Sequence, residues 1–242
     1  AASTPVSDGE RIVSYFGSCG LFCYDLAGHE IWRHEMPTAK TLADFGTGVS
    51  PILVDDTVVL LRDETSDPQI LAVDATSGEP KWKQKRQSTS GFGTPAVWDT
   101  PAGRQIVAPG YGQMIAYGLN DGREIWTVSG MPSASCTTPV TADGILYYAG
   151  WSPGDPADPG FKMPTFDELL ANDQADADGD GALSKEESQR TMFKDFFDNN
   201  DPNKEGFIHR KEWNAMLEYI VASRNSAFAV KSGGTGDVTD SH

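Results

Sequence analysis

Ala72-Val73-Asp74-Ala75-Thr76-Ser77-Gly78-Glu79-Pro80-Lys81-Trp82 is the stretch that decides the fold, because versions of it recur along the chain. A tryptophan closes a similar Asp/Gly turn at Asp25-Leu26-Ala27-Gly28-His29-Glu30-Ile31-Trp32, and again at Gly118-Leu119-Asn120-Asp121-Gly122-Arg123-Glu124-Ile125-Trp126. A second marker runs in step with the first: Thr4-Pro5, Ser50-Pro51, Thr94-Pro95 and Thr138-Pro139, with Asp8, Asp55, Asp99 and Asp143 a few residues later. The prolines are 46, 44 and 44 residues apart. A period of that length signals an array of repeated units.

Between the markers lie short alternating or apolar runs at residues 12–16, 21–26, 57–61, 70–73, 106–108 and 145–148. They predict four strands per unit. The glycine before each tryptophan supplies the tight turn between third and fourth strands, where a positive φ costs glycine least, and the tryptophan is then free to pack on the next unit. Four-stranded sheets repeated radially, each with a Gly/aromatic motif, are the pattern of a β-propeller. A β-sandwich does not need the period. The expected fold class is therefore all-β, antiparallel four-stranded propeller blades in about four units, a partial propeller with a small α-helical insertion.

The insertion carries the chemistry. Asp176-Ala177-Asp178-Gly179-Asp180-Gly181-Ala182-Leu183-Ser184-Lys185-Glu186-Glu187 fills each ligand position of a twelve-residue EF-hand calcium loop. Asp176, Asp178, Asp180 and Glu187 offer carboxylates, Ser184 a hydroxyl, Ala182 only its carbonyl, and Gly181 permits the sharp turn. A partner loop follows, with Asp201, Asn203, Glu205, Phe207 through its carbonyl, His209 and Glu212 at the same positions and Gly206 at the turn. It has three carboxylates against four, and Pro202 stiffens its start, so it is the weaker expected site. Leu183 and Ile208 are expected to pair across the two loops. One helix is expected to run from the first loop to the second with Met192, Phe193, Phe196 and Phe197 on its apolar face, and Trp213, Met216, Leu217, Ile220 and Val221 form a helical stripe after it. The domain division read from these features is 1–151 for the blades, 152–225 for the EF-hand pair and 226–242 for the continuation of the fourth blade. Pro153, Pro156, Pro159 and Pro164 with Gly154 and Gly160 read as a stiff stalk into the first helix.

The turn motif resembles that of the pyrroloquinoline-quinone-like (PQQ-like) propellers, A-x-D-x-x-T-G-x-x-x-W. Residues 72–82 match it most closely, with Ser77 in the threonine position; Gly118 replaces the aspartate in the third unit, and Cys23 takes the alanine position in the first. The resemblance implies blades and not a bound quinone. It also implies a secreted or periplasmic bacterial protein, and an EF-hand pair inserted into such a propeller is similar to a subgroup of that family. Without the insertion about 168 residues remain, fewer than four full units, so the remaining blades are expected to lie outside this chain, and a complete four-bladed ring is the alternative reading.

The net charge of −16 argues against nucleic acid. Half of that excess lies in residues 152–224, which hold 16 acidic and 8 basic side chains. No apolar stretch is long enough to span a membrane. The three cysteines offer no disulfide framework, and Cys23 and Cys136 read as buried free thiols. His29 and His34 read as solvated. No nucleophile elbow, zincin helix or phosphate loop is present, so no catalytic residue is nominated. The favoured reading is a non-catalytic, calcium-binding, extracytoplasmic propeller that presents surfaces to a protein or glycan partner, with PQQ not expected to bind. A fragment of a quinone-dependent dehydrogenase is the second reading.

Overall fold

The computed structural model describes residues 3–41, 45–88, 91–151, 162–171, 175–201, 203–222 and 224–240. The chain forms two compact units, Ala1–Ser152 with Asn225–His242, and Pro153–Arg224. In the first unit consecutive strands fold into successive antiparallel sheets. β1 (Val6–Ser7), β2 (Arg11–Phe16), β3 (Gly20–Asp25) and β4 (Glu30–Glu35) make the first sheet in sequence order, and β5 (Ile52–Val54), β6 (Thr57–Arg62), β7 (Gln69–Asp74) and β8 (Pro80–Lys85) make the second. The third contains β9 (Ala96–Thr100), β10 (Gly103–Pro109), β11 (Gln113–Gly118) and β12 (Glu124–Ser129). These are the β-propeller blades that the period implied.

The fourth sheet begins with β13 (Val140–Ala142) and β14 (Ile145–Gly150). After the second unit's own strands, β15 (Leu183–Ser184) and β16 (Phe207–Ile208), it resumes with β17 (Ser226–Lys231), which pairs antiparallel with β14 from Ile145↔Lys231 to Gly150↔Ser226. The second unit therefore interrupts the connection between two neighbouring strands. The chain does not then add a fourth strand to this sheet among the described residues. Instead β18 (Gly236–Asp237) runs parallel to the outer edge of β12 and makes the third sheet five-stranded. Val238 N–H donates to the Thr127 carbonyl at 2.9 Å, and Ser129 N–H donates to Thr239 Oγ1, also at 2.9 Å.

Burial follows from how many neighbours a sheet has. All six residues of β6, Thr-Val-Val-Leu-Leu-Arg, are buried, because Val58 and Leu60 meet the first sheet's Val13, Tyr15, Leu21 and Cys23 while Val59 and Leu61 meet the third sheet's Ile106, Ala108 and Tyr117. On β14 Leu146 and Tyr148 enter the core shared with the third sheet, whereas Tyr147 and Ala149, which alternate with them, are exposed. A doubly covered strand reads as a continuous apolar run and a singly covered one alternates.

Each residue of the repeat has a physical task. The tryptophans lie opposite small residues, Cys23↔Trp32, Ala72↔Trp82 and Ala116↔Trp126, and in each sheet the register shifts at the next residue, a bulge that sharpens the bend. The motif aspartate ties the turn: Asp74 Oδ1 accepts from the N–H groups of Thr76 at 2.9 Å and Ser77 at 3.0 Å. The Ser/Thr-Pro hydroxyl links neighbouring sheets, since Thr4 N–H donates to Ser50 Oγ at 2.9 Å and Ser50 N–H to Thr94 Oγ1 at 3.1 Å.

The second unit is helical around a small two-stranded sheet. α1 (Phe166–Leu170) starts at a capping box in which Thr165 and Glu168 satisfy each other's backbone N–H, and α4 (Arg210–Ala222) is the longest helix described. Between the loops the expected single helix is not formed. α2 (Lys185–Ser188) gives way to turns, then a 3₁₀ segment, Lys194–Phe196, then α3 (Phe197–Asn200). Thr191 accounts for the break, because its hydroxyl donates to the Ser188 carbonyl at 2.9 Å and accepts from Phe193 N–H at 3.1 Å, replacing helical bonds. The expected apolar face splits accordingly: Phe193 and Phe197 join Phe166, Leu169, Leu183, Ile208 and Trp213 in the core, while Met192 and Phe196 are exposed. Trp213 is fully buried, edge-on to Phe193 at 4.8 Å, and donates to the Pro164 carbonyl at 3.0 Å. Pro202, the stretch 152–161 and the Val221 side chain lie outside the described residues.

Candidate metal centre

The first acidic loop is closed by its own side chains. Ser184 caps α2 and Glu187 reciprocates, its Oε2 accepting from Ser184 N–H at 2.9 Å and Ser184 Oγ at 2.7 Å. Glu187 Oε1 reaches across the loop to Ala177 N–H at 2.7 Å. Asp178 Oδ1 accepts from Asp180 N–H at 3.1 Å, and Asp180 Oδ1 from Ala182 N–H at 2.8 Å. Gly181 makes the reversal at φ +79°, a conformation that favours glycine. Oxygens of Asp176, Asp178 and Glu187 come within 4.8 Å of one another. Glu187 is buried, which by itself pushes its carboxyl pKa up, but the bonds from Ser184 and from the Ala177 backbone hold it below the usual glutamate value. An ionised carboxylate held so close to two others is a donor set for a hard cation.

The second loop shares the frame and differs in its pairing. Leu183 lies opposite Ile208 and Ser184 opposite Phe207, so one short sheet carries both loops. Asp201 Oδ2 accepts from Gly206 N–H at 2.9 Å, and Glu212 Oε2 from His209 N–H at 2.9 Å. Glu205, however, turns to His209, with Oε1 3.2 Å from Nε2. Asn203 Nδ2 donates to Glu212 Oε1 at 3.1 Å. Two of the candidate donors are thus engaged with two others, and Phe207 contributes only its carbonyl. Among the described residues no carboxylate triplet converges here.

Sequence reasoning missed a buried ionic cluster in the larger unit. Arg86 meets Asp63 in a bidentate pair, Nε to Oδ1 at 2.7 Å and NH2 to Oδ2 at 3.2 Å, and gives a third bond to Tyr117 Oη at 2.8 Å. Beside it Arg62 pairs with Glu64 at 3.0 Å, also buried. Burial pushes the Asp63 carboxyl up; it would depress Arg86, but the charge of Asp63 keeps the guanidinium above its ordinary value. The two-pronged geometry favours the ionised pair. The signal was the run Arg62-Asp63-Glu64 at the end of an otherwise apolar strand. Cys23 is buried as expected, whereas Cys136 is exposed. Its neighbour Ser135 takes the inward place, donating to the Gly110 carbonyl at 2.9 Å and accepting from Tyr148 Oη at 3.0 Å. Among the described residues no helix is long and apolar enough to cross a membrane.

Sheets of consecutive strands with a tryptophan on each fourth strand define the class as a propeller-repeat protein. The family model described as outer membrane protein assembly factor BamB matches residues 1–129, and the chain belongs to this PQQ-like repeat family. Solved structures similar to it include BamB from Moraxella catarrhalis, at 21% identity and a TM-score of 0.46 over 59% of this chain and 44% of that one. The quinohemoprotein alcohol dehydrogenase ADHIIG from Pseudomonas putida HK5 has 15% identity and a TM-score of 0.48 over 64% of this chain and 29% of that one. The quinohemoprotein alcohol dehydrogenase from Comamonas testosteroni has 19% identity and a TM-score of 0.43 over 54% and 21%. The chain spans less than half the length of each. A search of curated proteins gave no match.

Proposed function

We propose that this chain is a calcium-binding, extracytoplasmic, non-catalytic member of its family, a scaffold whose helical unit is an inserted EF-hand pair. The observation that carries the reading is the convergence of Asp176, Asp178 and Glu187 around a loop closed by the left-handed Gly181. Calcium there would be held by Asp176, Asp178, Asp180, Ser184, Glu187 and the Ala182 carbonyl, and more weakly by Asp201, Asn203, Glu205, His209, Glu212 and the Phe207 carbonyl. The ion's contribution is to neutralise the clustered carboxylates and fix the loop. The family's description as an outer membrane protein assembly factor supports a role in presenting surfaces to protein partners outside the cytoplasm.

The test is calorimetric titration of the whole chain with calcium. The expected result is a tighter event with a dissociation constant on the order of 10⁻⁶ to 10⁻³ M and a weaker one beyond it. Absence of any saturable heat across that range, with the chain folded by circular dichroism, would sink the reading.

A further inference from the structure

Two buried charges stitch down the connection from the first sheet to the second. Arg62, last in β6, donates to the Pro37 carbonyl and pairs with Glu64 at 3.0 Å. Glu64 Oε2 in turn accepts from Lys40 N–H at 2.8 Å and from Ser66 Oγ at 3.1 Å. These bonds satisfy Glu64 but not Arg62. Its Nε is buried with no hydrogen-bond partner among the described residues, in a residue only 3% exposed. Tyr15 of β2 adds a second unmet donor. Its hydroxyl stands beside Arg62 and Thr47, is buried, and has no partner at hydrogen-bond geometry. Burial pushes the phenol pKa up, so the group keeps its proton.

Arg62 and Thr47 line a recess of about 210 Å³, together with Thr41, Val49, Leu61 and Phe92. That is below the roughly 300–1,000 Å³ of pockets that take cofactors or drug-sized molecules. It suits a group of a few atoms. Val49 and Leu61 are buried and make the apolar side, Phe92 is half-buried, and Phe45, next to the lining Gly46, is 64% exposed. The recess thus joins unmet donors to aromatic surface at solvent, a pairing that protein interfaces favour.

Charge decides what fits. Glu64 already offsets Arg62, and Asp63, which also lines the recess, has both oxygens engaged by Arg86 at 2.7 and 3.2 Å. An entering ion of either sign would be a buried charge without a counter-ion. A carbonyl oxygen brings no charge and has two lone pairs for two donors, and among protein side chains only Asn and Gln end in an uncharged one. We propose that this recess is a subsite for the side-chain carboxamide of a partner protein, whose oxygen accepts from Arg62 Nε and Tyr15 Oη while its backbone passes over Phe45 and Phe92. The source of the group rests on the scaffold reading; the subsite itself needs neither calcium nor the helical unit.

The test titrates acetamide into the whole chain while the Arg62 Nε–H and the Gly46, Thr47 and Phe92 amide resonances are followed. Saturable shifts are expected, with a dissociation constant on the order of 10⁻³ to 10⁻¹ M, a range that so few non-hydrogen atoms can supply. Tyr15→Phe should weaken binding by about fivefold, and acetate and methylammonium should not saturate the same resonances. N-acetyl-asparagine methylamide should bind more tightly than acetamide, because its backbone reaches the aromatic residues. Binding of that compound no tighter than acetamide would overturn the protein source. Acetate that binds as well as acetamide, no saturable shift at all, or a folded Tyr15→Phe chain that binds unchanged would overturn the subsite. Should that variant not fold, a crystal of the parent chain soaked in acetamide decides: the amide oxygen within hydrogen-bond reach of Arg62 Nε upholds the proposal, and a water that is not displaced from there overturns it. Calcium titration of the same preparations separates failure here from failure of the calcium reading.

Discussion

The two acidic loops share a glycine at the reversal, a glutamate at the end and one short sheet, but they hold their carboxylates differently. In the first, Glu187 is drawn inward by Ser184 and by Ala177 N–H and meets Asp176 and Asp178. In the second, Glu205 leans to His209 and Asn203 to Glu212. Register therefore supplies donors without assembling them. What assembles them is a second set of hydrogen bonds that holds the oxygens in place, and that set depends on side-chain length and on the partners within reach.

The largest effect should come from removing what the loops share. Leu183 and Ile208 are both buried and lie opposite each other, so Leu183→Ala leaves a cavity at the joint, at a cost of about 2–5 kcal/mol. Thermal melting should show the loss, and calorimetry should show both binding events weakened together. Weakening of only the first would mean the loops are not coupled through the sheet. Next in size is Glu187→Gln, which removes one charge from the assembled triplet and should weaken the tighter event on the order of 100-fold, while Glu212→Gln leaves that event nearly unchanged. If the two substitutions exchange effects, the ranking of the loops is inverted.

The period was readable because it depends on residues that must recur at a fixed spacing. A tryptophan needs a small partner across the bulge and a glycine in the next turn, so the spacing of Trp32 and Gly78 or Trp82 and Gly122 carries the blade. The third unit shows the limit, since Trp126 donates to Gln105 Oε1 of its own sheet at 2.9 Å rather than to the next turn. The strap at Gly236–Asp237 was not readable, because a two-residue parallel contact has no period and its partner lies 110 positions away at Ser129 and Thr239. Nor was the broken helix between the loops, where Thr191 competes for backbone groups within an otherwise helical pattern. The pairing of Glu205 with His209 escaped for a related reason: both stand at ligand positions, and only the fold shows that they reach each other first.

A smaller change should sharpen the contrast by making the second loop more like the first. Glu205→Asp shortens the side chain that engages His209 and matches the aspartate at the same position of the first loop, Asp180. The weaker event should tighten by roughly fivefold, with the tighter one unmoved. His209→Ser, which puts the first loop's residue at this position, should act in the same direction, and calorimetry of the pair of variants would show whether the gain comes from the shorter acid or from losing its imidazole partner.

The smallest expected effect concerns how the second loop's exit helix is held. Arg210, inside that loop and first in α4, grips Asp167 of α1 with two nitrogens, NH1 at 2.8 Å from Oδ2, while its guanidinium lies 5.4 Å over the Phe166 ring. The hydrogen bonds from Arg210 hold the Asp167 carboxyl below its ordinary value of 3.8. Because the folded pKa is the lower one, the unfolded chain binds more protons in the intervening range, and the pair contributes its stability above 3.8 and loses it as pH falls through the folded value. The pair is exposed to solvent, so the contribution is small and screened by salt. In chelator, Asp167→Asn should therefore melt slightly below the parent at neutral pH, with the gap closing in acid or in molar salt. A gap that persists in acid would assign the loss to the shape of α1 and not to its charge, and a loss confined to the first loop's calcium affinity would show that this pair does not distinguish the two loops at all.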